Sequence, residues 1–286
     1  MASRKEQKEA ARQAREQAVA QLKASQTRRT RMLTLGGVLA LVVAAIIVVI
    51  VVSSSGGGGS AGGVDNQRDG AAYSHAGAVA DVKSLLGGIP ESSNDVLGNP
   101  LSRVTITEYG DLACPTCDDF AVTTEPQLIE ADVRTGKVQL AFRGDETASG
   151  YANGSEYVAT QVAARAAGLQ DKGWDYIMLM YDEQPQDING NHAEDVKYIT
   201  SSYLLNRAQQ VPGLNVAEWQ KDLSDPALAQ DVAGDGAAGN AAGVSGTPTL
   251  FISGPKGTVE YDKGNDSPSG VVPTLPELQA LIAQVS

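Results

Sequence analysis

The sequence predicts an α/β domain with an inserted helical block, carried behind a single N-terminal transmembrane helix. Three observations predict it. From Met32 to Val52 there are 21 residues without a charge. Beyond them, strand-like and helical segments follow the order strand, helix, strand, helical block, two strands, helix, which is an α/β order. The only two cysteines in the 286 residues stand two residues apart where the first strand meets the first helix.

The N-terminal part is set apart by charge. Residues 1–31 hold nine Lys/Arg and three Glu, a balance of +6, so the −12 of the whole chain leaves −18 on residues 32–286. A helix needs roughly 20 apolar residues to cross the hydrocarbon, and "MLTLGGVLALVVAAIIVVIVV" at 32–52 is long enough. Arg28, Arg29 and Arg31 abut its start, and the positive-inside bias then puts the tail in the cytoplasm and the rest of the chain outside. A buried soluble helix and a cleaved secretory signal are the competing readings. Signal cores run only about 7 to 15 residues, and no small-residue cleavage pattern follows Val52. The tail's Ala, Gln and Glu content suits a solvated segment drawn to anionic headgroups better than a nucleic-acid arm, and the acidic remainder also argues against nucleic acid. Residues 53–77, opening "SSSGGGGSAGG", read as a flexible tether whose reach grows as about 5–6 Å × √n.

The globular pattern occupies residues 78–286. "VTITEY", Val104 to Tyr109, and "VQLAF", Val138 to Phe142, are rich in strand formers. Between them Pro115 to about Arg134 has helical content, with Pro115 in the first turn, where its missing N–H costs nothing. A helical block spans about 150–235. Trp174, Ile177, Met178 and Tyr181 fall at i, i+3, i+4 and i+7, and Val196, Ile199 and Tyr203 repeat the stripe. Such stripes suit packing on a core better than lining a ligand groove. "TLFI" at Thr249–Ile252 and "GTVEYD" from Gly257 read as a hairpin, and "LPELQALIAQV" as a closing helix.

The cysteine spacing carries the chemistry. A thiolate is the species that attacks sulfur, and at a helix N-terminus it is stabilised by unpaired N–H groups and the helix dipole. Cys114 has that place. Cys117 lies one turn on, near enough to close a disulfide with Cys114 and to resolve a mixed disulfide formed there. A structural disulfide over two intervening residues would restrict the unfolded chain little. A zinc site needs four ligands, and beyond the pair the chain offers only His75 and His192. Inert reduced cysteines would be unusual in an oxidising compartment. No metal and no cofactor are implied.

A second motif is "GVSGTPTLFI", Gly243 to Ile252. Its Thr247–Pro248 bond stands just before a predicted strand and is either an ordinary trans bond at a strand start or a cis bond at a sharp turn. In the cis case Thr247 would offer backbone groups to an extended substrate segment as a short added strand. Glu108, six residues before Cys114, is either a solvated strand residue or a buried carboxyl of raised pKa that relays a proton to the resolving thiol.

Together "LGNPLSRVTITEYGDLACPTC" (Leu97 to Cys117) and "GVSGTPTLFI" resemble the DsbA-like thiol/disulfide oxidoreductases of the thioredoxin superfamily, in the membrane-anchored Gram-positive branch. The resemblance spans roughly Gly88 to Ser286. It implies a thioredoxin-like fold with the helical insertion between the motifs. It also implies Cys114 as nucleophile, Cys117 as resolving cysteine, Thr247 and Pro248 as a substrate-facing loop beside Pro115 and Thr116, and Glu108 as the buried acid. Strongly oxidising members often carry His where this chain has the uncharged Thr116. The implied partners are exported thiol-containing proteins as substrates and a membrane thiol oxidase as electron acceptor. An oxidase is the favoured reading. A reductase serving another exported thiol system is the alternative within the enzyme class, and a tethered module holding Cu(I) through the two cysteines the alternative outside it.

Overall fold

The computed structural model describes residues 75–92, 95–147, 155–184, 198–261 and 272–286. The tail at 1–31, the expected anchor at 32–52, most of the expected tether, Val196 and His192 lie outside them. Among the described residues no helix is long and apolar enough to cross a membrane.

Six strands, β1 Glu91–Ser92, β2 Val96–Leu97, β3 Val104–Gly110, β4 Val138–Gly144, β5 Thr249–Gly254 and β6 Gly257–Glu260, form one mixed sheet. Its order is β1-β2-β4-β3-β5-β6. β3 and β4 run parallel with Val104 opposite Val138 and Glu108 opposite Phe142. On its other side β3 pairs antiparallel with β5, Glu108 facing Leu250. Val104 and Ile106 alternate with less buried threonines, as the period-2 pattern of "VTITEY" requires.

Helices cover the sheet. These are α1 His75–Leu86, α2 Pro115–Thr123, α3 Glu125–Leu128 running into a π-helical turn Ile129–Val133, α4 Ser155–Gly168, α5 Gly173–Asp182, α6 Ser201–Gln210, α7 Val216–Asp222, α8 Pro226–Ala242 and α9 Leu275–Val285. The crossover between the parallel strands is α2–α3, and the inserted block is α4 to α8. α5 is buried along its whole length from Gly173 to Tyr181, so the stripe read from Trp174 to Tyr181 belongs to a helix enclosed on all sides. Ile199 and Tyr203 are buried too. Ile199 precedes α6, whose N-cap Thr200 accepts from the Tyr203 N–H.

Three features differ from the expected boundaries. α1 begins at His75, inside the segment expected as tether, because Ala78, Val82 and Leu86 make an apolar row that buries against α5. The β1–β2 hairpin, too short to carry a periodic signal, holds the start of α5. There Glu91 accepts from the Trp174 backbone N–H at 2.9 Å, and the Asp95 carbonyl from the Trp174 indole at 3.0 Å. The helical block extends past 235 to Ala242 despite glycines in α8, each of which weakens a helix interior. Gly239 has a packing reason. A Cβ there would lie 2.6 Å from an Asp145 carboxyl oxygen and 3.2 Å from the Tyr109 ring, so only glycine lets α8 approach the sheet this closely.

Candidate active site

The strand β3 delivers Asp111 to the head of α2, and Asp111 organises the turn. Its carboxylate accepts from the Ala113 N–H at 3.0 Å and the Thr147 N–H at 2.9 Å, and its carbonyl accepts from the Cys114 N–H at 2.9 Å. Cys114 is thereby placed as the N-cap of α2 with extended backbone, and Pro115 opens the first turn. The inserted block braces the same turn from behind. Tyr181 donates to the Asp111 carbonyl at 3.4 Å, and Gln184 to that of Leu112 at 3.4 Å. Gly110 makes room for this, since a Cβ there would lie 2.6 Å from the Phe142 ring and 2.9 Å from the Tyr181 oxygen.

Both cysteines are free thiols and both are buried, Cys114 at 7 % exposure and Cys117 at 0 %. Their acidities are driven apart. The Cys117 thiol, hydrogen-bonded to Cys114, is the largest influence bringing Cys114 down to about 6. Burial opposes it, while the Thr247 side chain and the N–H groups of Cys117 and Thr116 assist. Burial pushes Cys117 well above the ordinary thiol value, and its bond to Cys114 and the nearby Glu108 add to the rise. One sulfur is therefore an anion at neutral pH and the other a neutral donor.

The Thr247–Pro248 bond is cis. Thr247 stands against Cys114, whose thiol donates to the Thr247 carbonyl at 3.5 Å. The Thr247 hydroxyl is 2.6 Å from that of Thr147, which lies 3.3 Å from the Asp111 carboxylate. With Cys114 protonated, the hydroxyls can point from Thr247 to Thr147 to Asp111. With Cys114 ionised, Thr247 can turn its proton to the sulfur and accept one from Thr147 instead. Thr247 thus serves both states with different groups, its carbonyl accepting from the thiol and its hydroxyl donating to the thiolate.

Glu108 is buried at 3 % exposure, so it is not the solvated strand residue that is one of its two readings in the sequence. Burial raises its carboxyl far above the carboxylate range, and the facing carboxyl of Glu125 raises it further. The fold thus brings together Cys114, Cys117, Thr247 and Glu108, with Pro115 and Thr116 half-buried in the first turn of α2. Sequence reasoning missed Asp111, Thr147, Tyr181 and Glu125 as members of the site. Asp111 had a local signal in "DLACPTC", an Asx residue just before a helix. Thr147 and Glu125 had none, since their places depend on strand register and on how α3 packs. Among the described residues no group of three or more His, Cys, Asp or Glu is arranged to hold a metal ion.

A sequence profile of the family described as thioredoxin matches residues 92–264, more than half of the chain. The chain belongs to the thioredoxin family. Two curated members of similar sequence are the probable disulfide bond formation protein D of Bacillus anthracis, 27 % identical over 177 residues, and its namesake in Bacillus cereus, 29 % identical over 173 residues. Each alignment covers 60 % of this chain and 75 % of the relative. The crystal structure of oxidised BdbD from Bacillus subtilis superposes with a TM-score of 0.54 at 20 % identity, over 68 % of this chain and 95 % of that one. Within the thioredoxin family the architecture is the DsbA-like one, with the α4–α8 block inserted between β4 and β5.

Proposed function

We propose that this chain is a membrane-tethered thiol/disulfide oxidoreductase that oxidises cysteine pairs of exported proteins through a Cys114–Cys117 disulfide. Protein disulfide oxidoreductase activity fits the names of its relatives, which are disulfide bond formation proteins. The observation that carries the reading is the polarised pair, an activated Cys114 beside a buried and weakly acidic Cys117. In the oxidising direction a substrate thiolate attacks Cys114, the Cys114–Cys117 bond breaks, and Cys117 leaves and is protonated. A second substrate thiolate then attacks its partner sulfur and expels the Cys114 thiolate. The substrate gains a disulfide, and the enzyme holds the two electrons until a membrane thiol oxidase removes them.

The same asymmetry supports the oxidising direction. A low Cys114 pKa stabilises the reduced enzyme, and that makes its disulfide a stronger oxidant. A value of about 6 falls between the values of about 7 for thioredoxin and about 3.5 for DsbA. Thr247, with its carbonyl turned to Cys114, supports a substrate strand alongside the reacting sulfur. The uncharged run at 32–52 and the Arg-flanked tail support an anchored domain outside the cytoplasm.

The test is an equilibrium between the full-length protein in detergent and glutathione buffers, together with its action on a reduced two-cysteine protein. Net oxidation of that substrate and a potential nearer to about −120 mV than to about −270 mV are expected. A potential at the lower value with net reduction of substrate disulfides would make the chain a reductase. Stoichiometric Cu(I) uptake with no exchange would make it a binding module.

A further inference from the structure

The chemistry proposed above leaves two facing buried carboxyls unused, Glu108 and Glu125, and the inference drawn from them rests on that reading. Glu125 opens α3, which follows α2 through the helical Thr124, and is buried at 1 % exposure against Glu108. The two carboxyls face each other closely enough to share a hydrogen bond, and Oε1 of Glu108 and both oxygens of Glu125 are buried. Such a bond requires that at least one of them carry a proton, since an ionised carboxylate only accepts. No N–H or O–H of another described residue donates to Oε1 of Glu108 or to either oxygen of Glu125. Opposite Glu108 the neighbouring strands present Phe142 and Leu250, both apolar. The ionisable groups bearing on Glu108 from the helices are Cys114 and Cys117 of α2 and Tyr181 of α5.

A single carboxyl in such a place would be held neutral by desolvation and would offer no base near neutral pH. A pair behaves differently, because its protons leave in two steps that belong to the pair. The first step is eased, since the proton that remains is shared with the new anion. The second is resisted, since it would set two buried anions side by side.

We infer that Glu125 is a positioning residue of the exchange reaction, holding Glu108 in a two-carboxyl pair that keeps one proton and passes the other to and from Cys117. The acidities agree in direction. Burial pushes Glu125 up to about 7, with its contact to Glu108 pulling it back, and burial together with Glu125 raises Glu108 well above the ordinary carboxyl value. When a substrate thiolate attacks Cys114, the Cys114–Cys117 bond breaks and its electron pair leaves on Cys117. The doubly protonated pair gives that thiolate one proton and becomes a singly charged pair. In the reverse step the Cys117 thiol returns its proton to the pair, its sulfur attacks the mixed disulfide at Cys114, and the substrate departs as a thiolate. Electrons move only between sulfurs, and the proton only between Cys117 and the carboxyls.

The experiment mixes the reduced full-length protein, in detergent, with dithionitrobenzoate. The first thionitrobenzoate released reports capture at Cys114. The second, in the part of its rate independent of reagent concentration, reports attack by Cys117. In the wild type this second rate should rise with pH through a midpoint near neutrality. E125L should move the midpoint up by a pH unit or more and slow the step at pH 7 by about tenfold. E125Q, which can still donate an N–H to Glu108, should bring the midpoint back toward the wild type. E108Q, which removes the carboxyl nearest Cys117, should abolish the near-neutral step and serves as the check should E125L fold poorly. An E125L profile superimposable on the wild type, or slowed equally at every pH, would overturn the inference. A wild type that captures the reagent but never releases the second thionitrobenzoate would overturn the exchange reading, and this inference with it.

Discussion

The floor beneath the cysteines and the inserted helical block both bury ionisable groups, and they do so in opposite ways. In the block, charge meets opposite charge. Arg207 is bonded to Glu183 and lies over the Tyr203 ring at 4.4 Å, while Arg165 joins Asp95 at 2.9 Å and also Asp235. Under the cysteines, acid meets acid, as Glu108 faces Glu125 and the Cys114 thiolate lies nearby. Opposite charges in the block complete each other and fix a packing. Like groups at the floor leave a proton that can move. Burial alone therefore does not mark a functional carboxyl.

The largest expected effect lies at the cysteines. Cys117→Ser should leave a nucleophile that captures substrates and cannot release them, so mixed disulfides accumulate on non-reducing gels, while Cys114→Ser should accumulate few. Equal trapping by both would erase the polarity on which the contrast rests.

Next in size is the block. Glu183→Gln strands the Arg207 guanidinium in the interior and should cost about 3–5 kcal/mol in urea unfolding, with the Cys114 titration unchanged. The double variant E183L/R207M should recover most of that loss, because it removes both charges. Failure to recover would mean that the pair does more than compensate itself.

At the floor, Glu108→Gln replaces a carboxyl that burial pushes toward its neutral form with a neutral group of the same shape. Its stability should therefore shift by no more than about 1 kcal/mol, although thiol exchange slows. A loss as large as that of Glu183→Gln would show that the two regions do not differ as argued.

The smallest effect concerns the rim. In the reduced protein the Cys114 thiolate should form with a midpoint near 6, read by ultraviolet absorbance, the anion being lost as pH falls through that value. Thr247→Val removes one donor to the thiolate and should raise the midpoint by less than a pH unit. Thr147→Val, one hydroxyl further away, should raise it less still.

Much of this was legible because the signals were local. "VTITEY" alternates as a strand must, and the cysteines, Pro115 and the turn before "TLFI" are each specified within a few residues. The pairing of Glu108 with Glu125 was not legible. Glu125 stands before Pro126 at the start of a helix, where a carboxyl is ordinarily solvated and favoured by the helix dipole. Only the packing of α3 buries it against Glu108. Thr147 likewise gains its meaning from Gly110 standing opposite Gly144 in the sheet, a relation between strands 34 residues apart that no spacing rule encodes. Tyr181 was correctly placed in a core stripe, yet its hydroxyl reaches the Asp111 carbonyl, and a hydropathy pattern is blind to that end of the ring.

Asp235, on α8, gathers partners from across the domain. It accepts from the Gly144 backbone N–H at 3.2 Å and pairs with Arg165 of α4 and, at 3.6 Å, with Arg143 of β4. Through Arg165 the same cluster reaches Asp95 beside β2. The inserted block is thus riveted to the sheet at the end of β4, a few residues from Thr147 and the mouth of the site. It cannot open as a lid without breaking a half-buried ionic knot. Slow amide exchange in α4, α8 and β4 would then arise from one shared opening event, and a partner protein must fit a fixed rim rather than wait for a door.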